Sequence, residues 1–203
     1  MLSILIPARN NEKYISAAIQ SCTHQGPESA VEILVCDDCS TDNTADIIEK
    51  LTSDIPSLRL FRSPENIGVS AARNLLLTKI SPASKYVAFL DSDDVMCPGV
   101  MPVCIDHLNK NLDAVMTIGQ MQIVHSSALE SGDPISDDWP VFAGISLSVS
   151  VFRTSIVQKV GGFDTSFQQG EDVDFILRTA EISGSRIQLD DVIFYYRRHD
   201  TNT

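Results

Sequence analysis

Four short apolar runs, each followed by a polar cluster and then a helical pattern, constrain this chain's fold more than any other feature. The runs are residues 3–6, 31–36, 58–61 and 86–90, all of strand length. Helix-like segments lie between them at 13–23, 45–51 and 70–79, the first with Ile15, Ala18 and Ile19 on one face. Thr44, or Asp42 just before it, supplies a start for the second helix. Crossovers of that length suit parallel pairing. The expected architecture is α/β, a single-domain Rossmann-like fold with a mostly parallel central sheet and helices on both faces. Such sheets bind ligands at the carboxyl ends of their strands. All four runs end there in polar residues, at 7–12, 37–42, 63–68 and 91–94. Four polar loops on one rim predict a site.

The fourth loop carries the strongest chemistry. Residues 87–94 read Val-Ala-Phe-Leu-Asp-Ser-Asp-Asp, an apolar run that stops in three carboxylates. Were the strand to continue for two residues, Asp91 and Asp93 would project on one side. Carboxylates that close repel one another unless a cation neutralises them. Mg²⁺ or Mn²⁺ is the natural candidate, and such ions bridge a carboxylate to a diphosphate. A solvated acidic turn after a strand is the plain alternative.

Beyond residue 99 the alternation loosens. A helix is expected near 100–108, strands at 114–118 and 122–125, and a solvated acidic loop at 126–140 holding Glu130, Asp133, Asp137 and Asp138. A strand-like run follows at 145–149, then a helix near 154–160 ending at Gly161-Gly162, a helix starting around Asp172 and a last strand at 192–197. With no Gly- or Pro-rich linker, this half reads as an extension of the same sheet and the second wall of a cleft.

Composition removes several classes of function. The net charge is −12 and the pI about 4.6, which argues against binding nucleic acid or anionic lipid through the general field. No apolar run approaches a membrane span, and the N-terminus enters a strand and not a signal peptide. Five cysteines (22, 36, 39, 97 and 104) and no leader suggest reduced thiols and a cytoplasmic location. Cys36-Asp-Asp-Cys39 has the spacing of a redox pair or half a zinc site, but Cys36 closes an apolar strand where a small hydrophobe fits. The only compact basic patch is Arg197-Arg198-His199.

The loops match neither a Walker phosphate cradle nor a dinucleotide fingerprint, and no zinc-hydrolase or serine-nucleophile signature is present. What remains is carboxylates, amides and a few arginines. Pro7-Ala-Arg-Asn-Asn-Glu12, Asp37-Asp-Cys-Ser-Thr-Asp-Asn-Thr44, Asn66-Ile-Gly-Val-Ser-Ala-Ala-Arg-Asn74, Phe89-Leu-Asp-Ser-Asp-Asp94, and Gly161-Gly-Phe-Asp164 with Gly170-Glu-Asp-Val-Asp174 together resemble family 2 glycosyltransferases. The resemblance runs from Ser3 to about His199.

That resemblance implies a GT-A fold and an inverting transfer from a nucleotide-diphosphate sugar, of uridine or thymidine, to an acceptor hydroxyl. Residues 1–98 would form a nucleotide-binding half and 99–203 an acceptor and catalytic-base half. Pro7, Ala8, Arg9, Asn10 and Asp38 would hold the base, with Arg73 near the base or diphosphate and Asp91 on the ribose. Asp93 would bind Mn²⁺ or Mg²⁺, with His199 completing the shell and Arg197 or Arg198 neutralising phosphate. Asp172 would be the general base, Glu171 its adjacent competitor; Glu12 and Asp94 are secondary candidates. The plain alternatives are a helix-entry carboxylate for Asp38, a surface arginine for Arg73, an acidic first helical turn for residues 171–174 and a frayed basic tail for 197–199. The acceptor would be a saccharide, a lipid-linked group or another hydroxyl, met in the cytoplasm or at the inner face of a membrane with peripheral association. The chain stops at Thr203, short of the helices that often close the acceptor side in such enzymes. A catalytically silent nucleotide-sugar-binding or regulatory module is the alternative function, and a thiol redox protein a distant third.

Overall fold

The computed structural model describes residues 1–27, 30–131, 135–136, 138–144, 146–167 and 169–199. Strands β1 (Leu2–Ala8), β2 (Val31–Asp37), β3 (Leu58–Arg62) and β4 (Tyr86–Phe89) pair in parallel in the order β3-β2-β1-β4. Every residue of β1, β2 and β4 is buried, which explains their near-continuous apolar sequences. The register sets Ala8 opposite Asp37, and Asp37 opposite Arg62, so the polar loops emerge at one level. The alternation along β1 then separates two cores. Leu2, Ile4, Ile6 and Ala8 face helices α1 (Ile15–Thr23), α2 (Thr44–Asp54) and α4 (Val100–Lys110), through Ile15, Ile19, Ile48, Met101 and Cys104. Leu5 faces α3 (Val69–Leu77), α6 (Thr154–Val160) and α7 (Glu171–Ala180), through Ala72, Leu76, Val157 and Phe175. On that second face Phe89, Phe152, Phe163 and Phe175 form an aromatic cluster, Phe163 and Phe175 stacked at 4.3 Å.

The second half extends the same sheet with mixed pairing. Strand β8 (Ser150–Arg153) runs antiparallel to β4 and to β6 (Ala114–His125), and β6 pairs in parallel with β9 (Ser185–Arg198). The short β5 (Val95–Met96) and β7 (Val141–Ala143) pair antiparallel with β9 and β6.

Several expectations for this half need correcting. The strands at 114–118 and 122–125 are one strand, kept continuous by register shifts on either side of Gln120. Gly119 marks a close approach and not a break, since a Cβ there would sit 2.1 Å from Ile193 Cγ1. The expected loop at 126–140 opens with a short helix, α5 (Ser126–Ser131), in which Ser126 Oγ donates to Glu130 Oε1 at 2.6 Å. Asp133 and Asp137 lie outside the described residues, as does Ile145. The apolar run ending at Val149 is followed by the strand and is not itself one; β8 starts at Ser150. The terminal strand is longer than its apolar signal, because β9 begins at Ser185 with partly exposed, polar residues. No helix among the described residues is long and apolar enough to cross a membrane.

Candidate active site

The loops of the first half interlock. Asn10, at φ 51°, donates its N–H to Ser40 Oγ (3.0 Å) and accepts the Thr41 N–H on Oδ1 (2.8 Å). Glu12 Oε2 accepts the N–H and side-chain amide of Asn43, at 3.0 and 2.7 Å. The Glu12 N–H reaches Asp42 Oδ2, and Asp42 Oδ1 accepts both N–H and hydroxyl of Thr44. Partial burial pulls the Asp42 carboxyl up, but these bonds outweigh it and hold it below its usual value. Asp42 rather than Thr44 is thus the acceptor at the entry to α2.

Asp38 is buried, and its two oxygens accept the N–H groups of Ile67 (2.7 Å) and Gly68 (2.9 Å). It fastens the entry of α3 to the end of β2, and a carboxylate still has lone pairs for a further donor. Pro7, Ala8, Arg9 and Asp38 share a pocket of about 190 Å³ with Asn66, Gly68, Val69 and Ala72. Four expected base-contacting residues therefore line one concavity. Arg9 is exposed, with no hydrogen bond or ion pair among the described residues. Burial pushes the Cys36 thiol up to about 12, as expected of a core cysteine that closes an apolar strand, and Cys39 is a second free thiol.

Residues 91–94 do not continue the strand. The Asp94 N–H bonds to the Asp91 carbonyl at 3.1 Å, closing a turn. The turn sends its three carboxylates to different partners. Asp91 Oδ1 accepts from Arg73 Nη2 at 2.9 Å. Asp94 is buried and accepts the Arg197 N–H at 2.9 Å. Burial pushes its carboxyl well above the ordinary range, with repulsion from Asp91 and Asp93 adding to it. Asp93, half-buried, brings Oδ2 to 3.2 Å from His199 Nε2. Two ligand atoms in adjacent octahedral positions on an ion bonded at about 2.1 Å would lie ~3 Å apart, so this pair fits one cation. Among the described residues no group of three or more His, Cys, Asp or Glu side chains could hold a metal, so other ligands would have to complete the shell.

The C-terminal basic residues are not a frayed tail. Arg197 lies within β9 and is only 1% exposed. Its Nε donates to the Asp93 carbonyl (2.7 Å), its Nη1 to Ser126 Oγ (3.2 Å), and its guanidinium sits 4.8 Å from the Tyr14 ring centre. The His199 ring packs on Tyr14 at 4.6 Å. Arg198 ends β9 opposite His125, and its exposed side chain makes no hydrogen bond or ion pair among the described residues. Arg198 and His199 line a cleft of about 510 Å³ with residues 10–14, Asp42 and residues 125–127.

Residues 171–174 are likewise sorted by partner. Glu171 Oε1 accepts from Arg73 Nη1 at 2.7 Å, and Asp174 Oδ2 accepts from Nε and Nη2 of Arg178 at 2.9 and 2.7 Å. Asp172 is half-buried and has no hydrogen bond or ion pair among the described residues. Of three acids suited to a helix N-terminus, one keeps its carboxylate uncommitted. Arg73 is no surface arginine: it is 4% exposed and joins Asp91 to Glu171. Asn11, whose side chain donates to Ser92 Oγ, Tyr14 and Asn74 lie at the site outside the expected set. Asn74 closes the motif at residues 66–74, which is a signal in the sequence; Tyr14 has none.

Comparisons with known proteins show the family and the fold. The sequence model of "Glycosyl transferase family 2" matches residues 3–131. The chondroitin synthase of Pasteurella multocida is 28% identical over 212 aligned positions, covering 100% of this chain and 21% of that protein. The crystal structure of Staphylococcus aureus TarS 1-349 in complex with UDP-GlcNAc superposes with a TM-score of 0.81 at 21% identity, over 99% of this chain and 59% of that one. A mannosyltransferase from Pyrobaculum calidifontis, in complex with GDP-Man and Mn²⁺, gives 0.72 at 18% identity, over 96% and 56%. The chain thus spans about a fifth of the synthase and three fifths of the TarS structure. These superpositions make the fold GT-A.

Proposed function

The chain belongs to glycosyl transferase family 2, and from that membership and the rim geometry we propose that it moves a sugar from a nucleotide diphosphate to an acceptor hydroxyl with inversion. The observation that carries the reading is Asp172, the one acid at the start of α7 without a partner among the described residues. It is linked through Glu171 and Arg73 to Asp91 at the end of β4.

In an inverting transfer the hydroxyl oxygen attacks the anomeric carbon as the bond to the diphosphate breaks on the opposite face. Asp172 takes the hydroxyl proton on its carboxylate. The pocket of Pro7, Ala8, Arg9 and Asp38 receives the base, with Asn10 fixing the loop beside it. The exposed half of Asp91 contacts the ribose. Asp93 and His199 would hold a divalent cation that, when bound, neutralises charge on the departing diphosphate. Their mixed oxygen and nitrogen donors favour Mn²⁺ over Mg²⁺. Arg198 supplies a further positive charge, whereas Arg197, Asp94 and Glu12 act on the protein itself. The UDP-GlcNAc complex of the TarS fold neighbour supports a uridine donor, and the matched synthase supports a polysaccharide acceptor.

Calorimetric titration with UDP, in the presence and absence of Mn²⁺, tests the donor half of this reading. Binding should need Mn²⁺ and weaken at least tenfold in Asp93→Ala, about 1.4 kcal/mol. Equal binding with and without the ion, or equal binding by Asp93→Ala, would remove the metal from the site. A folded protein that ignores UDP but binds GDP would change the donor.

A further inference from the structure

Two adjacent residues of α3 tie down both ends of the segment that precedes Asp172. Asn74 grips Phe163 at two points: Nδ2 donates to the Phe163 carbonyl and Oδ1 accepts its N–H, both at 2.8 Å. A Cβ on Gly162, whose φ is +91°, would lie 2.6 Å from that same Oδ1, so the grip requires glycine there. At the other end Arg73 holds Glu171 at 2.7 Å, with its guanidinium 5.4 Å from the Phe163 ring centre. Phe163 stacks on Phe175 of α7, so the loop end, the helix start and the helix body share one anchor. Asp172 follows Glu171 directly.

Resting on the transfer reading above, we propose that Arg73, Asn74 and Glu171 form a clamp that positions Asp172, and that Glu171 is a positioning residue and not the base. The clamp also reaches the donor side, because the guanidinium that holds Glu171 holds Asp91 through its other nitrogen. One cation thus sets the distance between the carboxylate on the ribose side and the helix that bears the base. Arg73, read from sequence as a nucleotide ligand, acts through these two carboxylates. A carboxylate base displaced by about 1 Å loses up to ~100-fold in rate, which is the size of effect a positioning residue can have.

The test uses the full chain and the variants Glu171→Gln, Asn74→Ala, Arg73→Lys and Asp172→Asn. Glu171→Gln should lower kcat by about 10–100-fold with donor KM within about twofold. The acid limb of its kcat–pH profile should persist, because the proposed base is still in place. Glu171→Gln/Asp172→Asn should be no slower than Asp172→Asn alone, since a residue acting through Asp172 has nothing left to position. Loss of the acid limb in Glu171→Gln, with the limb retained in Asp172→Asn, would make Glu171 the base. Full additivity, or a lowered unfolding midpoint with unchanged kcat, would reduce the clamp to a fold contact. Amide exchange separates this idea from the transfer reading itself. Asn74→Ala and Arg73→Lys should speed exchange across residues 163–167 and 169–175 whether or not sugar is transferred, and unchanged exchange there would overturn the clamp. A wild-type chain that transfers no sugar, with exchange responding as expected, would sink the transfer reading and leave the clamp standing.

Discussion

Residues 1–98 build their side of the rim from loops that hold their nearest neighbours, whereas the later residues reach it across the chain. Asn10 with Ser40, Glu12 with Asp42 and Asp38 with Gly68 are each 30 residues apart. Each links one strand-helix unit to the next, so parallel register alone brings the partners level. The contacts of the second half span 89 residues for Asn74 with Phe163, 98 for Arg73 with Glu171 and 106 for Asp93 with His199. Their alignment depends on packing between helices and on a strand that closes the sheet late. The first half behaves as a preassembled cradle; the second delivers single side chains to it.

Such a division predicts that binding and chemistry separate by mutation. Asp172→Asn should lower turnover by about 10²–10⁴-fold, the usual worth of a general base. Asp172 neither lines the pocket of Pro7, Ala8, Arg9 and Asp38 nor bonds to the Asp93–His199 pair, so UDP affinity should change less than about twofold. Steady-state kinetics and calorimetry on one preparation check both, and a joint loss of binding and turnover would break the comparison.

Asp38→Asn probes the other side. The carboxylate accepts two backbone N–H groups, and an amide has one oxygen and a competing NH₂. One of the N–H groups of Ile67 and Gly68 would lose its partner, costing about 1–3 kcal/mol in unfolding free energy. UDP binding should weaken because the pocket floor shifts, while kcat at saturating donor stays close to wild type. A large fall in kcat at unchanged affinity would move Asp38 out of the cradle and into the chemistry.

The same division explains what the sequence disclosed. Buried parallel strands carry near-continuous apolar runs, so β1, β2 and β4 and their polar ends were legible, with β3 marked more weakly by Leu58, Leu60 and Phe61, and Pro7, Ala8, Arg9 and Asp38 fall together in one pocket. In the second half the pattern misled where a residue's role is set by a distant neighbour. The gap expected between strands at 114–118 and 122–125 is continuous strand, in which Gly119 makes room for Ile193. Arg197 has the look of a tail, yet Asp94, Asp93 and Tyr14 surround it at the centre of the fold. Residues 171–174 were visible as an acidic helix start, and the spacing of Asp174 and Arg178 suits a pair one helical turn apart, but the motif that contains Arg73 does not say that Glu171 is its partner. Spacing identifies elements; it does not say which charge a buried arginine will choose.

Asp94 lies on the seam between the halves and gives the mildest test of the comparison. Its carboxyl belongs to the β4 turn but accepts the N–H of Arg197 from β9. Burial, then repulsion from Asp91 and Asp93, raises its folded-state pKa well above the ordinary 3.8. A value raised on folding means that the folded protein holds this proton more tightly than the unfolded chain. Below the ordinary value both states are protonated and nothing is lost. As pH climbs from there through the raised value, the unfolded chain releases the proton first and stability falls, levelling once both states are ionised. Asn accepts the same N–H without a proton to lose, so in EDTA Asp94→Asn should gain on wild type as pH rises from about 4 and then plateau. Denaturant unfolding at a series of pH values measures the difference directly. Mn²⁺ should narrow the gap, because a cation held by Asp93 and His199 relieves the repulsion that strains the ionised turn. A difference that is flat with pH would mean that Asp94 ionises alike in the folded and unfolded chains, and the two halves would then meet through an ordinary carboxylate on the Arg197 N–H, with no strain from Asp91 and Asp93 beside it.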